Sequence, residues 1–293
     1  MTSFTNLTLL VTGASGHLGR LAVEELLARG ASRIIAGTRD PARLSDLAAR
    51  GVEVRKVDFN DPASLEAAFA GVDRMLLVST DGIGIRVAQQ TAAIAAAKAA
   101  GISHIVYTSA PAARPNADAG LNPEHFWTEV AIASSGVGFT ILRNHMYAEN
   151  TLADAAQVIS SGQLFGLVGD RGTAYVTRAD AARAAAGALL IADANTVEDV
   201  TGPAAVTNVE RAALFTRITG KPVAVVALSP AELKAGMVSA GIPEGFAEAL
   251  VAFQRDAVSG HHGVVTDVVE RYSGRKPDSL ETFLLANRAA LGA

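Results

Sequence analysis

The sequence contains no cysteine among its 293 residues. A disulfide framework, a thiolate nucleophile and a cysteine-ligated metal site are therefore excluded. Charge is also scarce: only 18% of the residues are Asp, Glu, Lys or Arg, and 25 basic against 29 acidic residues leave a net charge of -4 with no basic run. That balance gives no electrostatic support for a nucleic-acid or anionic-membrane partner.

Long apolar runs and a targeting pattern are missing as well. The Ala-rich stretch 91–100 is too short to cross a bilayer, and it carries Lys98. Residues 1–6 do not show the charged-then-apolar order of a secretory signal. The sequence therefore predicts no membrane span, and we expect a cytoplasmic protein.

What the chain does have, at its start, is a glycine-rich turn that follows an apolar strand, 7–12, and opens an amphipathic helix, 17–29. Glycine lets backbone N–H groups approach a phosphate closely, and the helix N-terminus adds partial positive charge. The spacing G-x-x-G-x-x-G also fits an ordinary strand-to-helix turn, but the position favours a dinucleotide site. The residues expected to bind are Gly13, Ser15, Gly16, His17, Leu18 and Gly19.

The end of the second predicted strand, 33–38, indicates which dinucleotide. Folds that prefer NAD carry a carboxylate there for the ribose 2′-hydroxyl, whereas this chain has Thr38 and Arg39. A guanidinium suits a 2′-phosphate, so we predict NADPH. The alternative is that Arg39 is merely a solvated residue before a helix that starts at Pro41.

Strand-like and helix-like segments alternate through the first half of the chain, which predicts a doubly wound (Rossmann) parallel sheet in an α/β fold. We expect a nucleotide-binding domain over 1–155 and a smaller, mainly helical region over 156–293, of which about 176–202 packs back on the sheet. The predicted strands are 7–12, 33–38, 53–57, 75–79, 104–108 and 139–143, and the predicted helices are 17–29, 41–50, 62–69, 86–100 and 123–135.

Ligands of such sheets bind at the carboxyl ends of the strands. At the ends of the third, fourth and fifth predicted strands we expect three contacts with the cofactor. A carboxylate and an aromatic ring would meet the adenine, backbone would pass the ribose and pyrophosphate, and hydroxyl groups would reach the nicotinamide ribose. Each is also an ordinary polar strand end, and only the shared position favours a site. The residues are, in that order, Asp58 and Phe59; Ser79, Thr80 and Asp81; Thr108 and Ser109.

Together these motifs resemble the NmrA-like atypical short-chain dehydrogenases/reductases, and within that family the quinone reductases of type 2 and the triphenylmethane reductases. The segments that carry the resemblance are 11–19, 34–39, 104–110, 123–129, 142–150, 177–180, 201–203 and 273–283, so it covers essentially the whole chain.

The resemblance implies roles for individual positions. The glycine turn would bind the pyrophosphate, Arg39 the 2′-phosphate, and 79–81 would line the cofactor. The stretch 144–149 would wrap the nicotinamide end, with Asn144 at the cofactor, and would form one wall of the substrate pocket. There the chain departs from the quinone reductase pattern, with His145 for Gly and Met146 for Trp. That wall sets pocket shape, so the identity of the substrate does not transfer.

The chain also lacks the Tyr-x-x-x-Lys pair of ordinary short-chain dehydrogenases, in which the Lys lowers the Tyr pKa for proton transfer. At that place it has His125 and Glu129, one helical turn apart, which could form a His–carboxylate pair. His125 is thus a candidate proton donor or substrate contact; its alternative is a structural role at the helix start.

Other candidate residues carry weaker signals. Trp127 and Tyr147 could line an aromatic-accepting cleft together with Met146. The adjacent His261 and His262 are expected in a solvated turn after Gly260, with no metal bound.

These observations predict an NADPH-dependent oxidoreductase that passes hydride to a quinone or a similar conjugated acceptor. Such an electrophile needs only a weak proton donor, such as Tyr147, His125 or solvent. The expected partner is the small-molecule acceptor, and a homodimer is compatible with the sequence. Helices from about 229 onward, broken at 241–243, would cover the cleft. One alternative is a non-catalytic sensor of the NADP(H) ratio; a reductase or isomerase of a sugar nucleotide is disfavoured by the missing pair.

Overall fold

The computed structural model describes residues 6–115 and 121–292, apart from the side chain of Leu121. Residues 1–5, which the targeting argument used, lie outside the described residues. The strands are β1 Thr8–Val11, β2 Arg33–Thr38, β3 Glu53–Lys56, β4 Arg74–Leu77, β5 His104–Ser109, β6 Gly138–Asn144, β7 Gln163–Gly166, β8 Thr196–Val200 and β9 Ala224–Ala227. The α-helices are α1 His17–Ala28, α2 Ser45–Ala48, α3 Pro62–Phe69, α4 Arg86–Ala99, α5 Leu121–Ser135, α6 Ala155–Ser161, α7 Arg178–Ile191, α8 Asn208–Thr219, α9 Pro230–Ser239, α10 Glu244–Val258, α11 Val268–Ser273 and α12 Leu280–Ala286.

A seven-stranded parallel sheet in the order β3-β2-β1-β4-β5-β6-β8 forms the centre of the fold. Its inner strands are nearly continuous apolar runs, because both faces are covered by helices. One apolar cluster packs α1, α7 and α11 on one face, and a second packs α3, α4 and α5 on the other. The predicted Rossmann-type α/β fold is therefore confirmed.

Local signals fixed most of the element ends. Asp61 caps α3 as predicted, since its carboxylate accepts a hydrogen bond from the backbone N–H of Ser64. The predicted helix 41–50 is instead a 3₁₀ turn, Pro41–Leu44, followed by the short α2. The break at 241–243 does separate α9 from α10.

The second half of the chain divides between two locations. β8 extends the large sheet beside β6, and α7 packs against α1. The tail returns to the same face, where the Arg29 guanidinium donates to the carbonyls of Tyr272 and Ser273. The remainder, around the two-stranded sheet β7-β9, has a separate apolar cluster with α6, α8 and α12. A domain boundary after residue 155 stays a prediction.

No helix in the described ranges is both long and apolar enough to cross a membrane.

Candidate functional site

A cleft of about 660 Å³ opens where the strand order reverses between β1 and β4. Parallel strands bring their carboxyl ends together at this edge, which is where doubly wound sheets bind ligands. We call it the switch-point cleft. Its described lining contains twelve of the residues nominated from the sequence, namely Gly13, Ser15, Gly16, His17, Leu18, Gly19, Arg39, Asp58, Phe59, Ser79, Thr80 and Asp81, and also Tyr147.

The glycine turn forms the floor of this cleft. Gly13 has a positive φ of 62°, and its carbonyl accepts from the N–H of Gly16 at 2.9 Å. Gly19 packs so closely on the turn that an added Cβ would lie 2.4 Å from the Gly13 carbonyl oxygen. Thr12 ties the turn to β4, because its hydroxyl accepts from the Val78 N–H at 2.9 Å. Gly13 thus allows the turn, Gly16 allows a phosphate to approach the backbone, and Gly19 allows the helix to pack closely against the strand end.

Arg39 is exposed on the rim of the cleft, and the sequence analysis missed a second guanidinium beside it. Arg43, on the 3₁₀ turn four residues later, also lines the cleft. No helical spacing could have singled out Arg43, because Arg39 precedes the turn that contains Arg43. Below them the Thr38 hydroxyl donates to the Ser15 hydroxyl at 2.9 Å. Two cations at one end of the cleft favour an anionic group there.

The described lining of the cleft also contains the polar side chains of Asn60 and Gln89, which were not predicted from the sequence. The Gln89 amide donates to the side-chain oxygen of Asn60 at 3.2 Å, so α4 is joined to the loop after β3. The Asp58 carboxylate accepts from the Asn60 N–H at 3.0 Å, which orients that loop. Asp58 is therefore partly engaged in holding its own loop.

Thr108, Ser109 and Asn144 lie behind the cleft lining rather than in it. The Thr108 hydroxyl accepts from the Ser79 N–H at 2.8 Å, and it holds the loop after β4 from below. The Ser109 hydroxyl donates to Glu129 at 2.6 Å. The direct cofactor contacts expected of these residues stay a prediction: the hydroxyls of Thr108 and Ser109 bond to neighbouring elements, whereas the Oδ1 of Asn144 is buried with no partner in the described ranges.

Asn144 acts through a neighbour. Its side-chain amide donates to the hydroxyl of Tyr147 at 3.0 Å, and Tyr147 is the residue that reaches the cleft.

His125 does not form the expected pair with Glu129. Its Nδ1 lies 2.8 Å from the Tyr107 hydroxyl in the core, and burial lowers its pKa to about 3. Glu129 instead accepts two hydrogen bonds from Arg143, at 2.9 and 2.6 Å. Both side chains share a helical face as predicted, but each packs against a different strand residue. This packing supports the structural alternative for His125, and its role as proton donor or substrate contact stays a prediction.

Trp127 also lies away from the cleft. Its side chain is 51% exposed on the outer face of α5, where its ring packs edge-on against Phe126 at a centroid distance of 5.2 Å. The helix places it on the solvent side, which does not support the expected substrate contact, and that contact stays a prediction.

A second cavity, of about 650 Å³, lies between the β7-β9 region and the helices α8, α9 and α10. Its described lining includes Met146. Residues 146–148 form its boundary with the switch-point cleft. They pair with 174–176 through the bonds Val176 N–H to Met146 carbonyl at 3.0 Å and Ala148 N–H to Val176 carbonyl at 2.9 Å.

Tyr147 has extended backbone angles, so successive side chains point to opposite sides. Met146 faces the second cavity and Tyr147 the switch-point cleft. The predicted wall is therefore a partition between two neighbouring spaces.

A model of the NAD(P)H-binding family matches residues 13–191, which are more than half of the chain and include the whole glycine turn. The chain belongs to the NAD(P)H-binding family. Its similarity to individual members is high. Quinone oxidoreductase 2 of Escherichia coli is 41% identical over 244 residues, which are 82% of this chain and 84% of that protein.

Solved structures of the family agree with the fold. The NADPH complex of the E. coli quinone oxidoreductase QOR2 superposes with a TM-score of 0.90 at 36% identity, over 96% of this chain and 100% of that one. The NADP(H) complex of the Citrobacter sp. triphenylmethane reductase superposes with a TM-score of 0.85 at 32% identity, over 96% and 99%. The resemblance inferred from the sequence is confirmed, and the cofactor of this family member is NAD(P)H.

The paired histidines of this NAD(P)H-binding protein differ from expectation. His261 is exposed in the turn, but His262 is buried, with its ring 4.2 Å from that of Phe253. Burial lowers the pKa of His262 to about 4. The description of a solvated turn is therefore wrong for His262, because α10 covers it. In the described ranges no group of three or more His, Asp or Glu side chains is placed to hold a metal.

The buried His125 makes stability depend on pH. Its pKa falls from 6.5 to about 3 on folding, so between these pH values His125 is protonated in the unfolded chain and neutral in the folded one. Protonation of the unfolded chain lowers the free energy of unfolding. This loss is small above pH 6.5 and grows as the pH falls toward 3. Between pH 6.5 and 5.5 we expect His125 to account for a loss of about 1 kcal/mol in the free energy of unfolding.

Urea unfolding at both pH values, in wild type and in His125→Gln, would measure this contribution. The amide can still bond the Tyr107 hydroxyl but does not titrate. The variant should lose less stability than wild type over this interval; equal losses would show that His125 is not the titrating group.

Proposed function

We propose that this protein is an NADPH-dependent reductase that transfers hydride to a quinone or a similar conjugated acceptor. One observation carries the proposal: Met146 and Tyr147, adjacent in sequence, line two neighbouring spaces. The switch-point cleft has the groups that a dinucleotide needs, and the second cavity has the apolar walls that a flat organic molecule needs. Hydride transfer needs direct contact, so two such ligands would meet at the edge of the partition, beside Met146 and Tyr147.

The residues of the switch-point cleft fit NADPH. The glycine turn and the N-terminus of α1 suit the pyrophosphate, and the guanidinium groups of Arg39 and Arg43 suit the 2′-phosphate. The ring of Phe59 can lie against the adenine, and the backbone of 79–81 can follow the ribose. When bound, the cofactor supplies the hydride, and the protein supplies position and exclusion of water.

Tyr147 is the side chain best placed to meet the charge that develops on the acceptor. Its hydroxyl oxygen already accepts from Asn144, which leaves the hydroxyl hydrogen free to be donated. Burial raises the pKa of Tyr147, so the phenol stays protonated at neutral pH. The guanidinium of Arg178 lies 5.0 Å from the ring centroid and fixes the ring by a cation–π contact. Asn144 and Arg178 are thus positioning residues for Tyr147.

The relatives support the class of acceptor. Quinones and triphenylmethane dyes are the substrates named for similar enzymes, and both are conjugated electrophiles. We assign the same class to this chain. A cytoplasmic location and a homodimer stay predictions.

NADPH consumption tests the proposal directly. Purified protein with stoichiometric NADPH is mixed with 2-methyl-1,4-naphthoquinone, and the reduced-nicotinamide absorbance is followed through a single turnover. A reductase bleaches that absorbance, and further acceptors from quinones, triphenylmethane dyes and nitroaromatics define the range. Tight NADPH binding with no consumption by any acceptor would contradict the proposal and favour the NADP(H) sensor.

Replacing Tyr147 by phenylalanine separates donation from packing. The ring and the Arg178 contact remain, while the hydroxyl is lost. We expect kcat to fall about tenfold, less than acid catalysis usually contributes because a quinone needs little protonation, with the Kd for NADPH unchanged. Stopped-flow rates and fluorescence titration measure the two quantities. An unchanged kcat would remove the hydroxyl from the chemistry and leave solvent as the donor.

A further inference from the structure

We propose that the second cavity selects acceptors that carry an anionic substituent, with Arg211 as the residue that binds the anion. The inference rests on the proposed function, because it assigns the second cavity to the acceptor. It adds a substrate class: flat aromatic molecules with a sulfonate, a carboxylate or an ionised hydroxyl group at one end.

The guanidinium of Arg211 is buried at the edge of the second cavity. Arg211 lies in the first turn of α8, and its side chain is only 14% exposed. Its Nε is buried and, within the described part of the chain, finds no hydrogen-bond partner. A buried charged donor without a partner costs free energy unless a ligand satisfies it. Arg211 lines the second cavity, so a ligand there can do so.

The nearest acidic group compensates this cation poorly. The Arg211 Nη2 lies 3.9 Å from the Asp154 carboxylate, which is beyond hydrogen-bond distance, and the Asp154 side chain is 52% exposed. Such an ion pair at the surface is weak and screened. A second guanidinium, that of Arg171, also lines the cavity. The described lining has two guanidinium groups and one carboxylate; Arg171 is exposed and lies 3.7 Å from the Asp170 carboxylate, so Arg211 is the buried cation of this lining.

Two amide side chains of the cavity are already engaged with the protein. The Asn208 amide donates to the Leu167 carbonyl at 2.8 Å, and the Gln254 side-chain oxygen accepts from the Leu167 N–H at 3.1 Å. These two amides hold the strand end at β7 in place. Arg211 thus remains as a buried charged donor for a ligand.

The other walls define the remainder of the ligand. Aromatic and aliphatic side chains from β7, α9 and α10 surround the cavity, among them Phe165, Met237, Phe246 and Phe253. Met146 forms the wall toward Tyr147. An acceptor that binds with its reducible ring at Met146 and its anionic group at Arg211 would satisfy both kinds of surface. Flexible thioethers at Met146 and Met237 let the walls adapt to rings of different shape.

Two matched quinones test the assignment. The sulfonated acceptor is 1,4-naphthoquinone-2-sulfonate, and the neutral one is 2-methyl-1,4-naphthoquinone. We expect Arg211→Gln to raise KM about tenfold for the sulfonate, the scale of a lost charge-assisted hydrogen bond, and to change it less than twofold for the neutral quinone. Arg211→Lys, which keeps the charge, should recover part of the loss.

Arg217→Gln is the control variant. Arg217 lies on the same helix, is half-exposed and pairs with Glu281, and it faces away from the second cavity. It removes the same charge from the protein, so its KM values for both quinones should match wild type. Equal changes for both quinones in Arg211→Gln, or equal effects of the two variants on the sulfonate, would overturn the assignment.

A binding measurement separates this inference from the proposed function. Naphthalene-2-sulfonate cannot accept hydride, so calorimetry reports the charge of the cavity without turnover. Binding that weakens about tenfold in Arg211→Gln, in a protein that reduces no acceptor, would support the anion site while the proposed function fails. An affinity that is equal in wild type and Arg211→Gln would disprove the anion site, whether or not quinones are reduced.

Discussion

Gly19→Ala is expected to lower the free energy of unfolding by about 2–3 kcal/mol and to weaken NADPH binding at least tenfold. The added Cβ would lie 2.4 Å from the Gly13 carbonyl oxygen, 2.8 Å from its carbon and 3.0 Å from the Ala14 Cα. All three atoms belong to backbone, which cannot rotate away as a side chain can. The glycine turn must therefore shift, and its N–H groups would no longer point at the pyrophosphate.

The control is another glycine within a helix. Gly236 lies inside α9, and a Cβ there meets nothing within 4 Å. Gly236→Ala should leave NADPH binding unchanged and stabilise the protein by up to about 1 kcal/mol, since alanine has less freedom to lose on folding. Urea unfolding and fluorescence titration of both variants check these values. Wild-type affinity in Gly19→Ala would show that the turn tolerates displacement and does not define the site.

Arg39→Ala is expected to weaken NADPH binding by about 1.5–3 kcal/mol and to leave NADH binding nearly unchanged. The two cofactors differ only at the 2′-phosphate, so the ratio of their Kd values isolates that contact. Arg39 and Arg43 both line the rim of the cleft, and each should contribute. Arg43→Ala should act in the same direction, and the double variant should approach the affinity for NADH.

Arg33→Ala is the matched control for general electrostatics. Arg33 is exposed at the opposite end of β2 from Arg39. Its substitution therefore removes the same charge far from the switch-point cleft. Isothermal titration with both cofactors gives the Kd values. If Arg39→Ala weakens NADH as much as NADPH, or if Arg33→Ala reproduces its effect, the 2′-phosphate assignment is wrong.

The cleft could be predicted residue by residue because its signals are local. Each strand end is read from a few consecutive residues, and parallel strands necessarily bring their carboxyl ends to one edge. Asp58, Ser79 and the glycine turn were placed in this way, and the structure lines one cleft with all of them. Helix ends at glycine and at Asp61 follow from equally local backbone chemistry.

The structure departs from expectation where a side chain could choose between partners. Spacing correctly placed His125 and Glu129 on one helical face. It does not predict their partners: His125 bonds to Tyr107, and Glu129 bonds to Arg143. The same helix presents Trp127 to solvent, which depends on what covers α5 and not on its sequence.

Four features follow from the sequence alone: the alternation of strands and helices, the parallel sheet, the dinucleotide-binding turn and the cation at its rim. Those features depend on periodicity, on glycine and on backbone hydrogen bonding, which act over short distances along the chain. The second cavity depends instead on packing, because its lining joins Met146, Phe165, Arg211 and Phe253 from four separate segments of the chain. Packing also determines which polar groups remain without partners inside that cavity, since burial, unlike periodicity, is a property of the packed molecule.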